Sequence, residues 1–77
     1  MGWCVYMLKC KDESIYTGIT NNLENRMQAH KSGSGAKYTK GRAPFTIIYK
    51  EECLNRSEAS KREAEIKKLS HKDKLGI

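Results

Sequence analysis

The residue pattern of this chain predicts an α+β fold, a three-stranded antiparallel sheet flanked by helices in the order β-β-α-β-α. Three observations carry that expectation. Residues 3–9 alternate with a period of two, as a half-buried strand does. A second run rich in β-branched and aromatic residues, Ile15 to Thr20, follows after a polar turn at Lys11-Asp12-Glu13-Ser14, so the pair reads as an antiparallel hairpin. Beyond it lie two segments whose apolar residues recur at helical spacing.

In the first strand Cys4, Tyr6 and Leu8 point one way and Trp3, Val5 and Met7 the other; in the second, Tyr16, Gly18 and Thr20 share a face. Asn21, with Glu24 three residues later, reads as the capping start of a helix. Leu23, Arg26, Met27 and His30 then fall on one face of that helix, and Ser32-Gly33 ends it. Residues 32–44 form a Gly-rich basic loop without periodicity, and Phe45 to Tyr49 is the third strand. Ser57 is expected to cap a second helix reaching to about Leu69, with Ala59, Ile66 and Leu69 as its core stripe. Lys72 to Leu75 leaves room for a last short helical turn.

A chain of 77 residues accommodates one domain, taken as 1–77, with a small core. No apolar run approaches the roughly 20 residues of a membrane span, and Met1 leads straight into the first strand without the charged and apolar regions of a signal peptide. The three cysteines, Cys4, Cys10 and Cys53, are odd in number and contain no C-x-x-C pair, which argues for reduced, packed thiols. These features together point to a cytoplasmic protein without membrane contact. The formal net charge of +6, from fifteen Lys and Arg against nine Asp and Glu, makes a polyanion a suitable partner.

Several polar side chains stand where apolar ones would be cheaper. Ala59 and Ile66 bracket Glu63, which places a carboxylate at the inward stripe, where it needs an ion partner, hydrogen bonds or a cation. A stripe-edge pairing with Arg62 or Lys67 is the plainer alternative. Arg26 and His30 lie one turn apart beside Met27, and a guanidinium next to an imidazole suits an anionic oxygen. Tyr6 and Tyr16 sit on neighbouring strands of one hairpin and can share a face.

Taken in order, Cys4-Val5-Tyr6, Tyr16-Thr17-Gly18, Arg26, His30, and Glu63 within Ala-Ser-Lys-Arg-Glu resemble the GIY-YIG nuclease superfamily. Arg26 follows Tyr16 by ten residues, and His30 stands one turn later. The loop pattern Gly35-Ala36-Lys37-Tyr38-Thr39 and the helix from Ser57 to Lys67 look like those of the small stand-alone bacterial members. The resemblance spans Val5 to Leu69. It departs from the pattern at Cys4, which stands for a glycine, at Ile19-Thr20, where a basic residue is frequent, and after Asn55, where no late asparagine follows; Ser70 and His71 are the nearest substitutes.

The resemblance implies an endonuclease-like domain hydrolysing phosphodiester bonds in DNA, selective for structure rather than sequence. It implies Tyr6 and Tyr16 beside the scissile phosphate, Arg26 on its non-bridging oxygens, His30 assisting proton transfer, Gly18 as a structural motif residue and Glu63 as ligand to one divalent cation, Mg²⁺ or Mn²⁺. Such a hard cation keeps most of its waters, so one carboxylate suffices. A phenol titrating near pH 10 needs its phenolate favoured to act as a base, and Arg26 with the cation would favour it. Tyr6 is the first candidate for that role, with Tyr16 and His30 competing. Lys37, Tyr38, Lys40 and Arg42 on the basic loop suit backbone contact plus stacking on an unpaired base. DNA is favoured over RNA and a monomer is expected. The alternative is a catalytically degenerate module that binds nucleic acid or a protein partner.

Overall fold

The computed structural model describes residues 2–32 and 44–76. It contains β1 (Trp3–Lys9), β2 (Ile15–Thr20), α1 (Leu23–Ser32), β3 (Thr46–Cys53), α2 (Arg56–Lys67) and α3 (His71–Leu75). The strands form one antiparallel sheet in the order β2-β1-β3. This is the α+β architecture expected from the sequence. Lys37, Tyr38, Lys40 and Arg42 lie outside the described residues.

The hairpin turns on short polar contacts. Cys10 N donates to Ser14 O at 2.8 Å and Glu13 N to Cys10 O at 3.0 Å, while the Asp12 carboxylate accepts from the Ser14 backbone and hydroxyl. Glu13 takes φ 70°, the left-handed conformation that closes the turn. Pairing then sets Tyr6 opposite Gly18 and Met7 opposite Thr17. On the other side of β1, Tyr6 faces Lys50 and Cys4 faces Glu52. The ladder shifts register between Met7 and Leu8: Met7 pairs with Tyr49 but Leu8 with Ile47, which leaves Ile48 as a bulge.

Alternation along β1 separates two faces. Val5 and Met7 form the buried core with Ala59 and Ile66 of α2, bordered by Trp3, Ile15, Ile19, Ile48, Tyr49 and Cys53. The opposite face carries Cys4, Tyr6 and Leu8, all buried, and receives His30 of α1. The sheet thus lies between α1 and α2. Among the described residues no helix is long and apolar enough to cross a membrane. Cys4, Cys10 and Cys53 are free thiols.

Several boundaries differ from those expected. The N-cap of α1 is Asn22, whose Oδ1 accepts from Asn25 N at 3.1 Å; Asn21 stands one residue too early. Asn55, not Ser57, caps α2, accepting from Glu58 N at 2.9 Å. Asparagine competes well with serine for this position, and here it leaves Ser57 inside the first turn. The helix stops at Lys67, so Leu69 follows it, half-buried. Ser70 then caps α3, its hydroxyl accepting from Asp73 N at 3.2 Å. Strand β3 begins at Thr46 and continues to Cys53, past the predicted end at Tyr49. Its charged run Lys50-Glu51-Glu52 hid that extension, because an outer strand can carry charge on both faces.

Arg62 fastens α2 to β3. Its Nε donates to Glu51 Oε1 at 2.9 Å and its Nη1 to Glu65 at 3.2 Å, and the Tyr49 hydroxyl donates to the same Glu51 carboxylate. These donors hold the Glu51 carboxyl below its ordinary range, the Tyr49 hydroxyl foremost and the guanidinium next. Arg62 is the centre of this network.

Candidate active site

The face of the sheet under α1 gathers an aromatic and cationic cluster. Tyr6, from the middle of the central strand, is fully buried, and its hydroxyl lies 2.9 Å from His30 Nε2. Tyr16 enters from β2, with ring centroids 6.2 Å from Tyr6 and 5.2 Å from His30. Phe45, just before β3, completes the enclosure 6.0 Å from the imidazole. Arg26, one turn before His30 on α1, interacts through its guanidinium with the hydroxyls of both tyrosines. The structure therefore brings together Tyr6, Tyr16, Arg26 and His30.

Gly18 makes the approach of the two phenols possible. A Cβ at this position would stand 2.8 Å from Tyr16 Cε2 and 2.8 Å from the Tyr6 hydroxyl. Both are closer than real carbon contacts allow, so the glycine of Tyr16-Thr17-Gly18 clears space for the rings.

The electrostatics follow from burial and from one cation. Burial pushes the Tyr6 hydroxyl up to about 12, with the Arg26 guanidinium opposing it. Burial, aided by Arg26, lowers His30 and favours its neutral form. Arg26 itself is held protonated, chiefly by the Tyr6 hydroxyl. A guanidinium can only donate, so the Tyr6 oxygen accepts from Arg26. His30 Nε2 and the Tyr16 hydroxyl are both within its reach, and a neutral ring carrying its hydrogen on Nδ1 would let Nε2 accept the phenolic proton.

Glu63 is positioned separately. Its carboxylate meets Lys67 Nζ at 3.2 Å, one turn along α2, and its side chain is 24% exposed. This is the stripe-edge pairing weighed from the sequence. At about 100° per residue, Arg62 and Glu63 straddle the Ala59/Ile66 stripe. Arg62 reaches Glu51 on β3, so Glu63 lies on the other side of that stripe. Among the described residues no three His, Cys, Asp or Glu converge as a metal cage. One glutamate at a water-accessible edge, held by an exchangeable surface ion pair, fits a cation that keeps most of its own waters.

Two residues escaped the sequence reading. Phe45 was assigned to the strand, and nothing in its neighbourhood marks it as a wall for His30. Lys50 was read past, although it faces Tyr6 across the ladder. Its signal was recoverable only with the register.

One family profile matches nearly the whole of this chain. That profile, the GIY-YIG catalytic domain, covers residues 2–75. The chain is a member of the GIY-YIG family. Relatives of this GIY-YIG domain include a UPF0213 protein of Oceanobacillus iheyensis, 54% identical over 73 residues, which are 95% of this chain and 85% of that protein. A UPF0213 protein of Clostridium perfringens is 59% identical over 73 residues, 95% of this chain and 78% of that one. Among solved structures, the solution NMR structure of a protein from E. faecalis aligns with a TM-score of 0.70 and 42% identity, covering 99% of this chain and 81% of that one. That of a UPF0213 protein from Bacillus halodurans gives a TM-score of 0.62 at 43% identity with the same coverages. Membership places the domain in a nuclease family whose members generally use a divalent metal and act on nucleic acid.

Proposed function

We propose that this GIY-YIG domain is an endonuclease that hydrolyses phosphodiester bonds in DNA, choosing its substrate by structure rather than sequence and requiring one divalent cation, Mg²⁺ or Mn²⁺. The observation that carries the reading is the buried Tyr6–His30 hydrogen bond, flanked by Tyr16 and by a guanidinium that touches both phenols. Arg26 holds positive charge beside both phenols, and its remaining N–H groups would serve the non-bridging oxygens of a phosphate. Tyr16, half-buried, presents the outer phenol to the substrate.

Tyr6 is the general base in this scheme and His30 its proton acceptor. As water attacks phosphorus, its proton passes to the Tyr6 oxygen while the phenolic proton moves to His30 Nε2. The bond from phosphorus to the leaving oxygen breaks in the same displacement, and the departing alkoxide takes a proton from solvent. A relay of this kind explains how a phenol pushed up to about 12 could serve near neutrality: it never has to exist as a free phenolate. Glu63 would hold the cation, which supplies charge neutralisation at the phosphate when bound.

The test is cleavage of branched, nicked and single-stranded DNA with Mg²⁺ or Mn²⁺. Arg26→Ala and Glu63→Ala should abolish it, and activity surviving either change would sink the proposal. RNA substrates should be cut less well than DNA. We read the protein as a cytoplasmic monomer, a reading supported by its free, mostly buried thiols and checked by light scattering. The competing reading, a module that binds without cutting, draws on the complete enclosure of Tyr6 and the occupied Glu63 carboxylate. Salt-sensitive DNA binding with no cleavage under any metal would establish it instead.

A further inference from the structure

The Tyr6 face of the sheet does not end at the aromatic cluster. Residues directly opposite on paired strands share a face, as do residues two apart on one strand. Tyr6 pairs with Lys50, Cys4 pairs with both Thr20 and Glu52, and Cys4 lies two residues from Tyr6. Lys50, Glu52, Cys4 and Thr20 therefore continue the same face, one step along β1 from Tyr6. A hollow of about 180 Å³ opens there, lined by Cys4, Thr20, Asn21, Leu23, Lys50 and Glu52 among others.

The chemistry of this hollow is that of an anion seat with a removable occupant. Lys50 Nζ meets Glu52 Oε2 at 3.1 Å, with the two side chains 49% and 67% exposed. An ion pair that exposed contributes little, so a phosphate oxygen can replace the carboxylate at small cost. The Cys4 thiol beside it is pushed up by burial and by Glu52, and stays neutral. On the other side the hollow reaches the entry of α1, where the Asn22 N–H is already held by Thr20 Oγ1 at 3.0 Å. Lys50 is thus the group here able to meet a new anion.

We infer that this hollow seats the backbone phosphate next to the scissile one, with Lys50 as its counter-cation and Glu52 as the intramolecular stand-in that the phosphate displaces. The inference rests on the nuclease reading for its substrate, and it supplies from β3 the cationic contact that Ile19-Thr20 do not supply from β2. A substrate strand then crosses the sheet from Tyr16 past Tyr6 toward Lys50. Lys50 is a binding and positioning residue, so its loss should act mainly on affinity.

The experiment is DNA binding measured by fluorescence anisotropy with a labelled single-stranded oligonucleotide, in chelator, across a salt series. Lys50→Ala should weaken binding roughly tenfold at low salt and reduce the slope of log affinity against log salt by about one. Lys50→Arg should retain both, and Glu52→Gln should bind several-fold more tightly than the wild type. Backbone amide shifts on adding the oligonucleotide should move at Cys4, Thr20 and Lys50. Wild-type affinity and slope in Lys50→Ala would overturn the inference even if wild-type protein cleaves DNA. Wild-type protein that binds through Lys50 but never cuts would uphold the hollow and overturn the hydrolytic reading. No wild-type binding at the lowest salt would overturn the hollow directly.

Discussion

The Tyr6 hydroxyl sits among Arg26, which can only donate, Tyr16, and His30, whose neutral form burial favours. The consequence can be read in pH. The imidazole is lowered from 6.5 in the folded chain by burial and by Arg26, with Tyr6, Tyr16 and Phe45 closing the remaining sides. The folded state therefore binds fewer protons than the unfolded one between the two values, and His30 contributes stability that is complete above pH 6.5 and is lost as pH falls through the lowered value. Urea titrations from pH 7.5 to 5 should show that loss, and His30→Gln should flatten it. A second prediction concerns Thr17, whose buried hydroxyl finds no hydrogen-bond partner among the described residues. Thr17→Val should raise the urea midpoint by the equivalent of about 1 kcal/mol, since it removes an unsatisfied group at nearly constant shape. At this scale the sequence was legible for residues whose chemistry is unusual for their position. Arg26 and His30 on an inward face, and Glu63 beside Ala59, were visible. Phe45 and Lys50 were not, because their meaning lies in what they face across space.

Elements are placed by their ends and by what they must not touch. The cap of α2 is decided by one side chain: Asn55→Ala should cost about 1 kcal/mol in thermal or urea unfolding, whereas Ser57→Ala, inside the first turn, should be close to neutral. Strand β2 is constrained at Gly18. Gly18→Ala drives a methyl against both tyrosine rings and should cost roughly 1–3 kcal/mol, with the near-ultraviolet circular dichroism of the tyrosines reporting the displacement. The order of strands and helices was legible because the period-two and helical patterns are strong in β1, β2 and α1. The boundaries were less so. Adjacent asparagines at 21 and 22 offer two equivalent caps, and a serine two residues past an asparagine offers a decoy. Only the geometry of the first turn chooses between them.

For the whole molecule, the two faces of the sheet divide the work. The α2 face carries the fold, through Val5, Met7, Ala59 and Ile66, and the α1 face carries the polar cluster. Glu63 lies outside the buried core, and its charge is met by Lys67. Removing divalent cations with a chelator should therefore abolish cleavage while leaving the protein folded, any fall in melting temperature being limited to the binding linkage of the cation, a separation that calorimetry and the cleavage assay read together. The sequence shows only a net positive charge of +6. In the structure Lys61, Arg62 and Lys67 are each spoken for by Glu58, by Glu51 with Glu65, and by Glu63. Net charge alone could not reveal that bookkeeping.

The bulge at Ile48 has a wider effect than its one unpaired residue. Ile47 pairs with Leu8, so in a regular strand Tyr49 and Glu51 would follow Leu8 and Tyr6 onto the α1 face, and Lys50 would be driven into the core. The extra residue reverses the phase, sending Tyr49 and Glu51 down to meet Arg62 and turning Lys50 and Glu52 upward. Ironing the bulge flat, with Ile48 kept and paired to Met7, would exchange the two sets at a stroke, burying an ammonium against Val5 and stranding Arg62 without its carboxylate.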